Sequence, residues 1–352
     1  MGGTKGYRSY RGRGSKGKAA LAAVLVLVIL AALGFLWAQE YIVYDENGQA
    51  HFTPPWQAQE TPPVPEEDPQ EDQNVEIIVQ EPEKPEELAA FSAAAAPLTQ
   101  AAWQEAWTGA TVMSAPAYNA AAVTLKDGTG HIYFAAAGAE AGSVTTAEDT
   151  AEALTEVTES SFHSIARMSC FLDPIAAKAD VENMGLKNTG GYIYYDGNDL
   201  NWLDPSKPAA RQYLCGLARE IADLGFDEIL LTDVGYPTTG PLDKIDYNGA
   251  DRAESIRAFL EELKTALAEY EVELSIELPA EVLTSGRDNT AGLVLADIAP
   301  LVDRICAAAT ADQIPALEAA VTAASETTDF VAELAAYGPD VTGSCLILPE
   351  QS

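Results

Sequence analysis

The sequence is poor in the residues that metal sites and many enzyme cofactors require. It has three histidines in 352 residues, and His51, His131 and His163 lie too far apart to suggest a zinc site or a histidine-based triad. There is no Cys-x-x-Cys pair, and residues 89–352 contain no Gly-x-Gly-x-x-Gly turn of the kind that binds nucleotides. We therefore expect neither a bound metal nor a cofactor.

Cysteines are few, and their spacing does not define a disulfide framework. Cys170, Cys306 and Cys345 each lie in an apolar run typical of a buried strand, and Cys215 lies in a predicted helix. Such residues usually act as small buried side chains. Disulfides would be possible outside the cell, and the sequence alone leaves the disulfide state open.

Positive charge is also scarce. The chain carries 20 Lys and Arg against 54 Asp and Glu, a formal charge of −34. A surface of this sign repels nucleic acid and anionic lipid, so no nucleic-acid partner is expected. The basic residues are unevenly placed, because residues 1–18 hold six bases and no acid.

This basic tail precedes the longest apolar run of the chain. Ala19–Ala38 contains twenty residues without a charge, and a helix of that length spans about 30 Å, one bilayer core. Trp37 and Tyr41 stand where interfacial aromatic residues belong. The pattern predicts a single-pass anchor in the cell membrane, with the tail 1–18 in the cytoplasm and the rest extracellular. The alternative is a cleaved signal peptide, with an unusually long apolar region and no clean cleavage site.

Residues 39–88 predict a spacer. Residues 41–52 have the pattern of a small hairpin, with Asn47 and Gly48 at its turn. Residues 53–88 contain eight prolines and many acids, a composition that cannot form a core. We expect a disordered, extended Pro/Glu-rich stalk of the order of 100 Å. Such a stalk would suit an enzyme facing the cell wall of a Gram-positive bacterium.

Residues 89–352 alternate short apolar runs with amphipathic segments. Arg211–Leu224 and Ala253–Tyr270 have apolar residues at helical spacing. Eight strands with helical crossovers predict an α/β fold, a (β/α)8 TIM-like barrel, with an open doubly wound sheet as the alternative. The candidate strands are Ala89–Ala95, Ala120–Lys126, Ser164–Phe171, Glu228–Asp233, Glu271–Leu278, Arg304–Ala309, Phe330–Ala336 and Ser344–Leu348.

Two of these strands end on an acid. Asp233 closes the apolar run that begins at Glu228, and Glu277 stands near the end of the next strand. Parallel barrels place catalytic groups at the C-terminal ends of their strands. Glycoside cleavage needs two carboxyl groups, one to protonate the leaving oxygen and one to attack or to activate water. Asp233 and Glu277 are therefore the predicted catalytic pair.

Other polar and aromatic residues near the strand ends are predicted to bind the substrate. They are Lys126, Asp127, Arg167, Asp173, Trp202 and Tyr236. Asp127 and Arg167 would orient hydroxyl groups or tune a carboxylate, and Trp202 would stack on a sugar ring. Structural alternatives stay open: Arg167 in an ion pair that closes the barrel mouth, Asp127 in a turn, and Trp202 as an anchor of its loop.

Six segments of the chain carry a resemblance to a known family: 119–130, 165–174, 201–205, 211–213, 224–229 and 275–277. The most specific part is the spacing from Trp-x-Asp-Pro to Gly-Phe-Asp-Glu-Ile. Together they resemble a family of glycoside-hydrolase-like domains, catalogued as a domain of unknown function and distantly similar to the α-amylase clan of barrels. The resemblance covers about residues 119–305 and implies a sugar-active barrel.

The catalytic strand departs from the pattern of that family. An ungapped match places Thr232 at the family's Asp and Gly235 at its Arg, so that Asp233 comes one residue late. One step along a strand moves a side chain to the other face. Either a bulge returns Asp233 to the barrel mouth or the usual acid is absent. The segment 305–310 also lacks the tyrosine and histidine of a later family motif.

The leading interpretation is a membrane-anchored, extracytoplasmic glycoside hydrolase acting on a polysaccharide or cell-wall glycan. The first alternative is a carbohydrate- or wall-binding barrel whose acid chemistry has eroded. The second is a surface protein whose barrel only holds a partner. The separation of Asp233 and Glu277 in the fold discriminates between hydrolysis and binding.

Overall fold

The chain divides into two compact units, Met1–Val79 and Gln80–Ser352. In the first unit, Ile42–Tyr44 and Ala50–Phe52 pair as antiparallel strands, as expected of the predicted hairpin. No helix among the described residues is long and apolar enough to cross a bilayer, and the predicted span Ala19–Ala38 lies outside those residues, as does most of the predicted stalk. The computed structural model describes residues 42–44, 50–52, 87–112 and 116–348.

The second unit is a closed barrel of eight parallel strands. Each strand pairs with the next along the chain, and the last pairs with the first. This closure confirms the predicted barrel and excludes the open doubly wound sheet. The strands are β1 (Ala89–Ser92), β2 (Ala120–Lys126), β3 (His163–Ser169), β4 (Glu228–Thr232), β5 (Glu273–Glu277), β6 (Arg304–Ala308), β7 (Asp329–Leu334) and β8 (Cys345–Ile347).

Helices occupy all the connections except the last, because residues 335–344 between β7 and β8 form no helix. Asp251 begins one helix by accepting a hydrogen bond from the backbone N–H of Glu254, an N-cap that a carboxylate satisfies well. The helices are α1 (Gln100–Val112), α2 (Thr150–Thr158), α3 (Pro174–Ala179), α4 (Pro208–Asp223), α5 (Arg252–Ala266), α6 (Ala280–Ser285), α7 (Leu295–Ile298) and α8 (Ile314–Ala324).

Side-chain alternation along the strands separates two apolar cores. In β4, Ile229 and Leu231 belong to the large cluster shared with the helices, whereas Leu230 belongs to a smaller cluster inside the barrel. The inner cluster is built from small and medium side chains because eight strands leave a narrow interior. Alternation therefore places Glu228, Leu230 and Thr232 on the inner face of β4.

An ionic network lies at the N-terminal end of the barrel interior. Arg304 donates to Glu228 at 2.5 Å and also to Glu273, and His163 Nε2 lies 2.8 Å from Glu228 Oε2. Glu228 is almost completely buried, so its charge must be paired within the protein. A ring nitrogen of His163 and one carboxylate oxygen each of Glu228 and Glu273 lie within 4.8 Å of one another, a spacing that could hold a metal ion. The guanidinium already bridges the two carboxylates there.

We expect Arg304→Ala to destabilise the barrel strongly. The substitution leaves Glu228 buried beside Glu273 without the guanidinium, and breaking a buried pair in this way typically costs about 3–5 kcal/mol. Urea denaturation would measure the loss. Arg257→Ala is the matched control, because Arg257 makes only surface pairs with Glu254 and Glu261 and should lose less than ~1 kcal/mol. Similar losses in both variants would contradict a structural role for the network.

Candidate active site

A cavity of about 720 Å³ opens at the C-terminal ends of the strands. Four of the eight predicted site residues line it: Asp233, Glu277, Trp202 and Tyr236. They come from three separate segments of the chain, and the closed barrel brings the strand ends together. The mouth of the barrel therefore holds both members of the predicted catalytic pair in one solvent-accessible space.

Asp233 reaches this cavity through an unusual backbone conformation. It follows β4 directly, and because Thr232 lies on the inner face, regular alternation would turn Asp233 toward the helices. Its φ is +51°, in the left-handed region that Asp tolerates better than most residues. The hydroxyl of Ser169 on β3 donates to Asp233 Oδ2 at 2.6 Å. The left-handed conformation thus returns Asp233 to the barrel mouth, as a bulge in the strand would have done.

Glu277 is the last residue of β5 and forms an ion pair. Arg167 Nη2 on β3 donates to Glu277 Oε2 at 2.8 Å. Burial raises the pKa of Glu277, the negative charge of Asp233 adds to the rise, and the Arg167 guanidinium opposes it without cancelling it. Glu277 accordingly holds a proton more readily than a free glutamate does.

Lys126 and Asp173 lie behind the cavity wall. Their side chains are each 1% exposed and approach to 3.0 Å. Lys126 also donates to the carbonyl of Ser169, while Asp173 caps the start of α3. The pair therefore supports the end of β3, where Ser169 holds Asp233. Their predicted contact with substrate stays a prediction, and this geometry favours a structural role.

Asp127 organises the loop that follows β2. Its Oδ1 accepts hydrogen bonds from Thr129 and from the backbone of His131, and its Oδ2 accepts one from the Tyr133 hydroxyl at 2.7 Å. Burial opposes its ionisation, but these hydrogen bonds together lower the pKa of Asp127. The carboxylate is engaged by its own loop, as the turn interpretation of the sequence anticipated. Its predicted contact with substrate stays a prediction.

The two aromatic residues of the predicted site have restrained orientations. The Trp202 indole N–H donates to Asp196 Oδ2 at 3.0 Å, which fixes the ring that lines the cavity. The Tyr236 ring packs edge-on against Tyr247 at 5.4 Å between centroids. The partly exposed Trp202 ring is therefore suitable for stacking on the C–H face of a sugar ring, whereas Tyr236 is buried.

Glu333 is a candidate residue that the sequence interpretation missed. It lies on β7, is 4% exposed, and its Oε1 has no hydrogen-bond partner among the described residues. Its register partner on β6, Ala308, lines the cavity. Burial raises the pKa of Glu333 to about 7, the Glu277 charge adds to the rise, and Arg167 opposes it. A charge inside an apolar strand was the available signal, as it was for Arg167.

The strand ends at the mouth therefore bring together the carboxyl groups of Asp233, Glu277 and Glu333 with the guanidinium of Arg167. Asp233 and Glu277 line the cavity, and Glu333 lies beside Ala308 on the neighbouring strand. Carboxyl groups held in environments of different polarity can divide into a proton donor and an anionic partner. The arrangement can therefore support acid–base or nucleophilic chemistry at a bond placed in the cavity.

Comparison with known families gives one match that covers more than half of the chain. The model of the family described as "Putative glycosyl hydrolase domain" matches residues 100–309. This range includes Arg167, Asp233 and Glu277, and β7 with Glu333 lies beyond it. None of the curated proteins matches the chain significantly.

Solved structures give weaker similarities. A hypothetical protein from Ruminiclostridium thermocellum is 24% identical, with 53% of this chain and 96% of that chain covered and a TM-score of 0.44. The glycoside hydrolase domain of PelA from Pseudomonas aeruginosa is 13% identical, with coverages of 71% and 84% and a TM-score of 0.38. That of PgaB from Bordetella bronchiseptica is 15% identical, with coverages of 61% and 74% and a TM-score of 0.42. The assignment of the fold rests on the strand pairing described above.

We expect Glu333→Gln to change the pH dependence of stability. Because the folded-state pKa of about 7 exceeds the ordinary value of 4.5, the favourable contribution of Glu333 is present at acid pH and is lost as pH rises through 7. The free energy of unfolding of the variant, relative to that of the native chain, should rise by on the order of 3 kcal/mol from about pH 4 to about pH 9.

Urea denaturation at several pH values would measure this difference in the free energy of unfolding. The control is Glu318→Gln on α8, an exposed position whose effect should not depend on pH. A difference between Glu333→Gln and the native chain that stays constant with pH would contradict the burial of an ionisable group at this position.

Proposed function

The chain belongs to the family of glycosyl hydrolase domains whose model it matches, and from that premise we propose that its barrel hydrolyses glycosidic bonds, with Glu277 as general acid and Asp233 as nucleophile or base. The observation that carries the proposal is that both carboxyl groups line one cavity at the barrel mouth. Enzymes of this architecture place their chemistry at that end of the strands.

Glu277 fits the role of acid because its environment favours the protonated form. In the first step its proton passes to the glycosidic oxygen while the bond from that oxygen to the anomeric carbon breaks. The carboxylate that remains is stabilised by Arg167, whose Nη2 already lies 2.8 Å from Oε2. The guanidinium thus favours the charge that appears on Glu277 during bond cleavage.

Asp233 supplies the second function. As a nucleophile it forms a bond to the anomeric carbon, and water then releases the sugar while Glu277 accepts the water proton. As a base it accepts a proton from a water molecule that attacks the same carbon directly. The Ser169 hydroxyl holds the reacting carboxylate in place in either case. The anomeric configuration of the first product, measured by NMR, discriminates between the two routes.

A polysaccharide or cell-wall glycan is the substrate class that we propose, with the barrel anchored outside the cell. The support is the sequence of the N-terminal region, in which the basic tail 1–18, the uncharged run Ala19–Ala38 and the proline-rich segment 53–88 follow one another. The Trp202 ring at the cavity would stack on one sugar unit.

A second candidate function, glycan binding without cleavage, is favoured by the geometry at Gly235. This residue stands where the resembling family has an arginine. Its φ is +145°, and an added Cβ would lie 3.1 Å from the Ala291 carbonyl oxygen, so an arginine would be strained on this backbone. In the hydrolase proposal, Arg167 on the neighbouring strand supplies the guanidinium instead.

We expect Asp233→Asn and Glu277→Gln each to lower kcat by about 10²–10⁴-fold on whichever bacterial-wall or plant glycan the full chain cleaves, because each removes a group that acts in the transition state. Reducing-end release would measure turnover. Glu281→Gln is the matched control, since Glu281 is an exposed carboxylate that lines the same cavity. Turnover that survives in both site variants would overturn the assignment, and binding without any turnover would favour the second candidate.

We expect protease added to intact cells that express the full chain to remove the barrel and to leave a membrane-bound fragment. Replacing two central residues, Val26→Glu and Ile29→Glu, should prevent membrane retention, because a charge at the bilayer centre costs about 2.5–3.5 kcal/mol each. Immunoblots of membrane and soluble fractions would measure both outcomes. A barrel that stays protected in intact cells would contradict the extracellular placement.

A further inference from the structure

A second groove adjoins the candidate catalytic cavity and shares a wall with it. It encloses about 470 Å³ between the start of α5 and a short hairpin in which Arg287–Asp288 pairs with Leu293–Val294. Arg287, Asp288 and Asn289 line both the cavity and the groove. A glycan whose scissile bond lies in the cavity can therefore extend one or more sugar units into the groove.

The groove contains two guanidinium groups that have no carboxylate partner in the part of the chain that the structure describes. Among the described residues, neither Arg252 nor Arg287 makes an ion pair, although residues 89–352 hold 40 acids and only 13 bases. Such a surplus of carboxylates makes an unpaired arginine unusual. Four of the seven arginines in that range are ion-paired: Arg167, Arg211, Arg257 and Arg304.

Uncharged groups hold Arg252 in place. Its guanidinium carbon lies 4.7 Å from the centroid of the Tyr247 ring, and Nη1 makes long hydrogen bonds to the Tyr247 hydroxyl and the Thr290 carbonyl. Tyr247 in turn packs against Tyr236, which lines the catalytic cavity. Stacking fixes the orientation of the guanidinium and leaves its other N–H groups available to an acceptor.

Two carboxylates also line the groove, and both serve the local backbone. Asp251 Oδ1 accepts the N–H of Glu254 at the start of α5, and Asp288 Oδ1 accepts the N–H groups of Thr290 and Ala291. Their remaining charge, with that of the whole domain, disfavours a continuous polyanion. The groove is therefore suited to a single anionic group whose oxygens accept from the two guanidinium groups.

We propose that this groove binds an anionic substituent of the glycan, a carboxylate or a phosphate on a sugar unit adjacent to the one held at Asp233 and Glu277, through Arg252 and Arg287. Its position beside the scissile bond rests on the hydrolase function proposed above. Substrates that carry isolated uronic acid or phosphorylated sugar units are then preferred over neutral glycans of the same length.

Calorimetric titration of the full chain tests the groove directly. In an Asp233→Asn background, which is expected to slow turnover, the probes are maltotetraose with one unit oxidised to glucuronate, maltotetraose 6-phosphate and neutral maltotetraose. We expect at least one of the anionic probes to bind about tenfold more tightly than the neutral one, because hydrogen bonds to ionised groups are about twice as strong as neutral ones. Which of the two binds better distinguishes a carboxylate from a phosphate.

Arg252→Gln and Arg287→Gln should each weaken that anionic probe about five- to tenfold and leave any affinity for maltotetraose unchanged. The matched control is Arg219→Gln, because Arg219 is the third arginine without a carboxylate partner among the described residues and lies on α4, outside the groove. Equal affinity for all three probes, no binding of either anionic probe, or an equal effect of Arg219→Gln overturns the proposal.

The two proposals fail in different ways. The native chain could bind the anionic probe through Arg252 and Arg287 and cleave no glycan. That result retains the groove proposal and rejects the hydrolase proposal. The chain could instead cleave a glycan in a reaction that needs Asp233 and Glu277, while neither arginine substitution changes the KM for any anionic glycan cleaved. That result retains the hydrolase proposal and rejects the groove proposal.

Discussion

The closed barrel turns every second side chain of each strand into a narrow enclosed interior, and this constraint decides where the protein can place charge. At the N-terminal end Arg304 bridges Glu228 and Glu273, so both carboxylates there have a guanidinium partner. At the C-terminal end Arg167 donates to Glu277. The two ends therefore differ, because Glu333 at the mouth has an oxygen without a hydrogen-bond partner among the described residues, and burial raises its pKa to about 7.

The position of Asp233 at the mouth depends on a local exception to strand alternation. Asp233 turns toward the cavity because its backbone adopts a left-handed conformation one residue beyond β4. A non-glycine residue in that region is strained and persists only where its surroundings hold it. Ser169 holds the Asp233 carboxylate, and Lys126 holds the carbonyl of Ser169 while pairing with Asp173. Lys126 and Asp173, which were predicted to touch the substrate, thus support Asp233, which lines the cavity.

Much of this fold was predictable because the strands have a short and regular signature. All eight predicted strands overlap strands of the barrel, with ends that differ by a few residues. Asp233 and Glu277 were predictable as a pair, since both are acids at strand ends. Glu333 was overlooked although a charge in the apolar run of β7 was visible, because nothing in the run indicates that its oxygen lacks a partner. The engagement of Asp127 by Thr129 and Tyr133 was likewise invisible, because it depends on how one loop closes.

The sequence by itself determined the class of fold, the family and the position of acids at strand ends, because periodicity and spacing are properties of the chain alone. Only the tertiary structure decided that Asp233 lines the cavity despite its position, that Arg167 pairs with Glu277, and that Arg252 and Arg287 line one groove. These outcomes depend on backbone conformation and on contacts between segments many residues apart. No local pattern of residues encodes such contacts.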